Sequence, residues 1–324
     1  MVKKYPKISL CTPTFNRRPF IPYMIKCFEH QTYPKDKIEW IIVDDGTDPI
    51  GDLVKHIPQV KYFYLKDRMI LGKKRNFMHS KCTGDIIVYM DDDDYYPPER
   101  ISHAVDTLIK NPNYMIVGSS LLAIYYKSIG KMYEFGPYVE NHSTAASFAF
   151  RKELLKKTKY NDDNCFGEEK FFLKDYTIPL KQLDIKKTIL VISHKHNTYN
   201  KENLLDRLDG TLGKESRLLI DEFIKEPEMK QFYLNDVDEL LDAYDPGKPE
   251  NKPETMKQIK EKEEIIKKQK EEQEKFRLVQ SQIANANVNN MQFQEVIKKY
   301  EKQIEDKTIL INELLKKVKE LTNE

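Results

Sequence analysis

Four consecutive aspartates, Asp91 to Asp94, follow directly on the apolar run Ile86, Ile87, Val88, Tyr89, Met90. Like charges this close raise one another's pKa, so a folded chain keeps them together only if a cation or hydrogen-bond donors offset the repulsion. Carboxylate oxygens are hard ligands suited to Mg2+ or Mn2+, and an ion held by one or two carboxylates completes its shell with water and substrate phosphates. A solvated acidic turn, or a calcium site without function, is the competing reading of such a run in isolation. Two further polar strand ends favour the chemical one: Thr14 and Asn16 follow an apolar run at 8–11, and Asp44 and Asp45 follow another at 39–43. Later in the chain, Glu168 and Glu169 open a helix-like run, and His194 and His196 follow a strand-like one. Each pair has a plain structural reading as well, since acidic residues suit a helix start and a histidine after a strand is often structural.

These side chains need elements that deliver them to one edge. Strand-like runs at 8–11, 39–43, 62–65 and 85–90 alternate with helix-like runs at 19–29 and 73–81. A helix over 99–108 and β-rich stretches at 115–119, 121–126, 147–151 and 188–193 follow, and residues 214–243 read as helical. Strands alternating with helices predict an α/β fold with a mostly parallel central sheet covered on both faces. In such sheets ligands bind beyond the carboxyl ends of the strands, where this chain carries Thr14, Asp44, Asp45 and the four aspartates.

Of the 324 residues, 33% are charged, yet 54 Lys and Arg against 52 Asp and Glu leave a net charge of only +2. Such cancellation argues against a nucleic-acid binder held by bulk electrostatics. No run approaches the roughly 20 apolar residues of a membrane span, and the start lacks an apolar signal-peptide core, which predicts a soluble, cytoplasmic protein without a membrane span. Cys11, Cys27, Cys82 and Cys165 lie far apart with no CxxC pair, so buried free thiols are expected rather than a zinc knuckle or a disulfide framework.

The organisation expected is a catalytic body over 1–243, a Pro-rich linker over 244–254, and a rod over 255–324. Beyond Pro253 there is neither Pro nor Gly. Stepping by seven from Phe276 gives Ile283, Asn290, Ile297, Ile304, Ile311 and Val318; from Val279 it gives Ala286, Phe293, Tyr300, Lys307, Leu314 and Leu321. This is the a/d seam of a left-handed coiled coil, with Asn290 at an a position able to set register and partner number. β-branched a positions with late Leu at d favour two parallel strands, although Lys307 weakens that preference. A homodimer is therefore expected, with a higher oligomer possible; a single amphipathic helix packed on the body is the alternative.

The successive segments Ile8 to Arg17 (ISLCTPTFNR), Ile41 to Gly46 (IIVDDG), Leu71 to Asn76 (LGKKRN) and Gly84 to Asp94 (GDIIVYMDDDD) resemble, in order and spacing, the motifs of family 2 glycosyltransferases with the GT-A fold. The resemblance covers roughly the first 110 residues. It implies a nucleotide-sugar donor, with UDP the commonest nucleoside in that family, and transfer to a hydroxyl of a glycan, a protein or a lipid-linked carrier. By that resemblance Thr14 and Asp45 would hold the nucleoside, with Asp44 in reserve, and Arg75 would face the base or the diphosphate. Asp91 to Asp94 resemble the DxD motif: Asp91 and Asp92 would meet ribose and sugar, Asp93 would bind the metal, and which aspartate does which stays open by one position. In inverting members the base is an acid at a late helix start, which here is Glu168 with Glu169 second, although Asp is commoner there. His194 and His196 resemble a late loop that supplies a further metal ligand or holds the diphosphate; with Asp91 and Asp93 they make the expected metal set. Imidazole among the ligands favours Mn2+ over Mg2+. Two other readings stay open, an inactive oligomeric scaffold and a sugar-nucleotide pyrophosphorylase-like enzyme. The absence of glycine from 12–18 counts against the latter.

Overall fold

In the computed structural model, which describes residues 5–208, 212–285 and 291–321, strands and helices alternate through the first third of the chain. The order is β1 (Ile8–Thr14), α1 (Ile21–Glu29), β2 (Ile38–Asp44), α2 (Gly51–Val54), β3 (Val60–Tyr64), α3 (Leu71–Lys81), β4 (Ile86–Tyr89) and α4 (Arg100–Lys110). There follow β5 (Ile116–Gly118), β6 (Leu122–Tyr126), β7 (Lys131–Phe135), β8 (Ala149–Arg151), α5 (Glu169–Phe172), β9 (Leu180–Gln182), β10 (Leu190–Ser193) and β11 (Gly213–Glu215). The chain ends in α6 (Pro227–Gln231), α7 (Val237–Asp242), α8 (Pro253–Asn285) and α9 (Met291–Leu321).

The central sheet has the order β3-β2-β1-β4-β8-β5-β9. β3, β2, β1 and β4 are parallel, as the alternation of strands and helices predicts. β8 enters antiparallel to both β4 and β5, so the sheet is mixed, a mostly parallel sheet with one reversed strand. A second sheet, β10-β6-β7-β11, shares the β-rich middle of the sequence with β5 and β8 of the central sheet. Residues 214–243 are not helical throughout: their start belongs to β11, paired antiparallel to β7, and helix begins only at Pro227. Proline suits that first helical position because its missing N–H would have no partner there.

β2 is buried along its whole length, as a strand covered on both faces should be. Successive side chains point to opposite faces. Leu10, Trp40, Ile42 and Val88 meet α1 and α4 on one side, whereas Cys11, Ile41, Val43 and Tyr89 meet Met78 of α3 and Phe172 of α5 on the other. All four cysteines are free and buried. Register places Thr14 beside Asp44 and Cys11 beside Tyr89, so the polar residues that follow β1, β2 and β4 leave the sheet at one edge. Gly72 lets the start of α3 close on the loop before α5, since a Cβ there would lie 1.9 Å from the Asn161 carbonyl oxygen.

Residues 244–254, read from sequence as a linker, are seated on the body. They form two short 3-10 turns, Asp245–Gly247 and Pro249–Asn251, and α8 then starts at Pro253 with Thr255 and Ile259 buried. The body accordingly extends to Lys260, and a second unit begins at Glu261. Within that second unit the seam residues Phe276, Val279, Tyr300, Ile304, Ile311, Leu314, Val318 and Leu321 are exposed. Ala286 and Asn290, and the side chains of Ile283 and Phe293, lie outside the described residues. Among the described residues no helix is long and apolar enough to cross a membrane.

Candidate active site

The edge where β1, β2 and β4 end is built by loops that interlock. Asn16 takes a left-handed conformation (φ 51), which asparagine tolerates better than most residues, and its Oδ1 accepts from Asp48 N at 3.1 Å. Gly46 passes so close that a Cβ on it would lie 2.6 Å from Asn16 Oδ1. Asp44 holds this turn together, accepting from Gly46 N (2.9 Å), Ile50 N (2.9 Å) and the Tyr62 hydroxyl (2.7 Å). With its carboxylate so engaged and fully buried, Asp44 is a loop staple, which speaks against its reading as a second nucleoside contact. Asp45 accepts from Met69 N at 2.6 Å and pairs with Lys74, whose ammonium also donates to the Thr14 carbonyl at 3.0 Å.

The four aspartates divide their labour. Asp94 faces inward, with Oδ1 accepting from Ile192 N at 3.1 Å, and burial together with Asp93 pushes its carboxyl well up. Asp93 is the ionised member: burial opposes its charge, but Arg17, His194 and Lys201 together hold the carboxyl well below the usual range. Arg17 Nη2 lies 3.3 Å from Asp93, Arg17 Nε lies 3.6 Å from Asp92, and His194 Nε2 lies 3.3 Å from Asp93. Burial, then the Asp93 charge, pushes Asp92 up to about 7. Burial pushes Asp91 up to about 6, and Asp91 Oδ1 is buried without a hydrogen-bond partner. Four neighbouring carboxylates thus do not all carry charge when no further cation joins them.

Glu168 is brought to the same edge by the Gly167 turn (φ 66) just before α5, and it is only 4% exposed. Arg75 of α3, 3% exposed, donates from Nε to Glu168 Oε1 at 2.8 Å and lies over the Tyr89 ring at 4.6 Å. Asp91 is the next negative charge felt by Arg75, so the guanidinium sits between the base candidate and the first aspartate. The sequence points Arg75 to the base or the diphosphate; in the structure it is paired with Glu168. Glu169, one residue on, begins α5 and is partly exposed.

The expected metal set of Asp91, Asp93, His194 and His196 is not assembled as a cage. Among the described residues no three His, Cys, Asp or Glu side chains are grouped as metal ligands. His194 touches Asp93, but the His196 ring is packed against Gly247, where an added Cβ would lie 2.7 Å from Nδ1. Both ring nitrogens of His196 are buried without partners, and burial pushes the ring down to about 4. What remains, the charged Asp93 carboxylate and the open Asp91 Oδ1, still fits a hard divalent ion that draws its other ligands from water and phosphate.

Sequence reasoning missed the roles of Arg17 and Lys252, and it offered Lys74 to phosphate, whereas Lys74 pairs with Asp45. Arg17, 4% exposed, joins Asp92 and Asp93 to the backbone oxygens of Gly247 (3.2 Å) and His196 (2.8 Å). Lys74 is buried on Asp45. Lys252 reaches in from the segment taken for a linker, donates to Thr198 Oγ1 at 2.8 Å and lies 5.5 Å from the centre of the Phe15 ring. Burial, reinforced by Arg17, pushes its ammonium down to about 7. Arg17 and Lys74 stand inside the motif segments, so their buried charge was the available signal; Lys252 had none. A cleft of about 760 Å³ lies between Phe15, Asn16 and Thr47 on one side and Asp245, Pro246, Lys248, Glu250 and Asn251 on the other.

Residues 9–177 match the family model described as glycosyl transferase family 2. The chain is 26% identical over 200 residues to the GalNAc(5)-diNAcBac-PP-undecaprenol beta-1,3-glucosyltransferase of Campylobacter jejuni, covering 52% of this chain and 62% of that protein. It is 28% identical over 103 residues to the poly(ribitol-phosphate) beta-N-acetylglucosaminyltransferase TarS of Staphylococcus aureus, covering 30% of this chain and 18% of that protein. It therefore spans less than two thirds of the length of either relative. Among solved structures, the mannosyltransferase PcManGT from Pyrobaculum calidifontis, in complex with GDP-Man and Mn2+, superposes with a TM-score of 0.47 at 18% identity, covering 59% of this chain and 58% of that one. The family match spans more than half of the chain and takes in Thr14, Asp45, the four aspartates and Glu168, so the chain belongs to glycosyl transferase family 2, a family of transferase enzymes.

Proposed function

We propose that the protein moves a sugar from a nucleoside-diphosphate donor, UDP favoured, to a hydroxyl of a glycan or protein acceptor, with inversion and with a divalent ion, Mn2+ over Mg2+. The observation that carries this reading is the convergence of a charged Asp93, an open Asp91 Oδ1 and an Arg75-braced Glu168 on one strand edge. In this reading Thr14 and Asp45 hold the nucleoside, and Asp91 and Asp92 meet ribose and sugar. Asp93 is the residue that would hold the ion, with Asp91 beside it; once bound, a divalent ion neutralises charge building on the departing diphosphate.

The rest of the chemistry falls to the chain itself. An acceptor hydroxyl has a pKa far above 7 and needs a base within hydrogen-bond reach. Glu168 takes that proton as the hydroxyl oxygen bonds to the anomeric carbon and the bond from that carbon to the diphosphate oxygen breaks. Arg75 fixes the direction of the Glu168 carboxylate through the 2.8 Å hydrogen bond. A single displacement from the face opposite the diphosphate inverts the anomeric carbon.

The exposed heptad seam supports a parallel homodimer, which would present two catalytic bodies to a repetitive acceptor and raise their effective concentration there. Incubation with UDP-, GDP- and TDP-sugars plus Mn2+ tests the enzymatic reading: slow release of nucleoside diphosphate that disappears in Asp93→Ala is expected. No turnover and no metal-dependent nucleotide binding with any donor would instead favour an inactive oligomeric scaffold. Sedimentation of the intact chain as a monomer would sink the homodimer.

A further inference from the structure

Residues 244–254 are tied to the nucleotide edge from both sides. Asn16 Nδ2 donates to the Pro246 carbonyl at 2.8 Å, Arg17 Nη1 to the Gly247 carbonyl at 3.2 Å, and Arg68 Nη1 to the Asn251 carbonyl at 3.1 Å. The Tyr244 hydroxyl donates to Asp48 at 2.8 Å. Immediately beyond, Gln258 of α8 accepts from Cys165 N at 3.0 Å and donates to the Asp163 carbonyl at 2.7 Å, in the loop that leads to Glu168. Lys252 lies between these two anchorages, so its position is set by backbone held at both ends.

Among the described residues its ammonium has no carboxylate partner within ion-pair distance. Its hydrogen bond goes to the neutral Thr198 hydroxyl, and Arg17 and Lys74 oppose its charge while Asp92 and Asp93 favour it. The Phe15 ring gathers Arg68, Lys74 and Lys252 within 6.0 Å of its centre. Arg68 is neutralised by Glu254 and Lys74 by Asp45, which leaves Lys252 as the cation of the three without an ion pair. A charge turned inward without a counter-charge is costly unless a ligand supplies one. Lys252 lies over the Phe15 ring, which also lines the cleft between the β1 loop and this strap, and it feels the charges of Asp92 and Asp93; an anion with several oxygens bound at that edge fits an ammonium carrying more donors than Thr198 can use.

We propose that Lys252 is a donor-binding residue that contacts the diphosphate of the nucleotide-sugar, so that the strap lying beyond the family-matched residues completes the donor site. This rests on the glycosyltransferase reading above. It makes residues 244–254 part of the enzyme's binding surface and not a tether.

The test is calorimetric titration of the full-length protein, in Mn2+, with UDP, GDP and TDP and with the matching monophosphates. For whichever diphosphate the wild type binds, Lys252→Ala should weaken it about tenfold or more, the loss expected for one charge-assisted hydrogen bond, and should weaken its monophosphate much less. Lys252→Arg should restore most of the difference. A Lys252→Ala protein that keeps the wild-type ratio of diphosphate to monophosphate affinity, whether both stay tight or both weaken together, would overturn the proposal and leave the donor reading standing. A wild-type protein that binds none of the three diphosphates would overturn both.

Discussion

Residues 244–254, Tyr-Asp-Pro-Gly-Lys-Pro-Glu-Asn-Lys-Pro-Glu, and residues 261–321 are both polar and rich in Lys and Glu. The first segment is bonded to the acidic strand edge of the body, whereas the described residues of the second form long helices with exposed seam residues. Charge does not separate them; proline content and backbone satisfaction do. Pro246, Pro249 and Pro253 have no N–H and forbid continuous helix, so carbonyls at Pro246, Gly247 and Asn251 remain open to Asn16, Arg17 and Arg68. In α8 and α9 the backbone pairs with itself, which leaves only side chains to make further contacts.

The largest effect that separates the two regions is expected in catalysis. Asp93→Ala should lower nucleoside-diphosphate release about a thousandfold, whereas Leu314→Asp in the seam should leave the rate per chain unchanged. Equal rates for Asp93→Ala and wild type would remove the aspartate run from the chemistry. Next in size is Arg17→Met, which strips Asp92 and Asp93 of their buried partner and frees one strap acceptor, the Gly247 carbonyl. Urea unfolding should record a loss of about 3–5 kcal/mol, as for a buried charge pair with one member removed; a loss below 1 kcal/mol, on the order of an exposed pair, would mean that Arg17 does not fasten the strap.

Gly247→Ala probes the seat of the strap itself. Its Cβ would lie 2.7 Å from His196 Nδ1 and 2.9 Å from the Asn16 carbonyl oxygen, so a destabilisation of about 1–3 kcal/mol is expected, together with weaker nucleotide binding. Unchanged melting and unchanged binding would show a strap that yields easily. The smallest effect on donor binding should come from ending the chain at Lys260, which removes the rod and keeps the strap. That protein should sediment as a monomer with wild-type nucleoside-diphosphate affinity, whereas one ending at Ala243 should bind at least tenfold more weakly. Matching affinities for the two truncations would erase the distinction between strap and rod.

Much of the body was legible because its signals are local. Apolar runs bounded by Asp44 and Asp91 mark β2 and β4, and the break between Gly84 and Asp94 marks the acidic edge that the parallel register then aligns with Thr14. The antiparallel entry of β8 was not legible, because its three residues carry no direction and their pairing is set by β4 and β5 on either side. Neither was β11, whose polar Gly-Lys-Glu becomes a strand only through β7.

For the site, residue types and spacing by themselves determined which carboxylates stand at strand ends and which glutamate follows the Gly167 turn. Chemistry of that kind is written in the chain because a strand's carboxyl end and a helix's start are local features. Only the tertiary structure decided what surrounds those groups: Arg75 on Glu168, Lys74 on Asp45, Arg17 across Asp92 and Asp93, His196 turned to Gly247, and Lys252 carried in from a stretch of prolines. The reason is electrostatic. A buried charge must find its partner in space, and partners up to 93 residues apart in these pairs meet because folded backbone, not sequence neighbourhood, sets the distance between them.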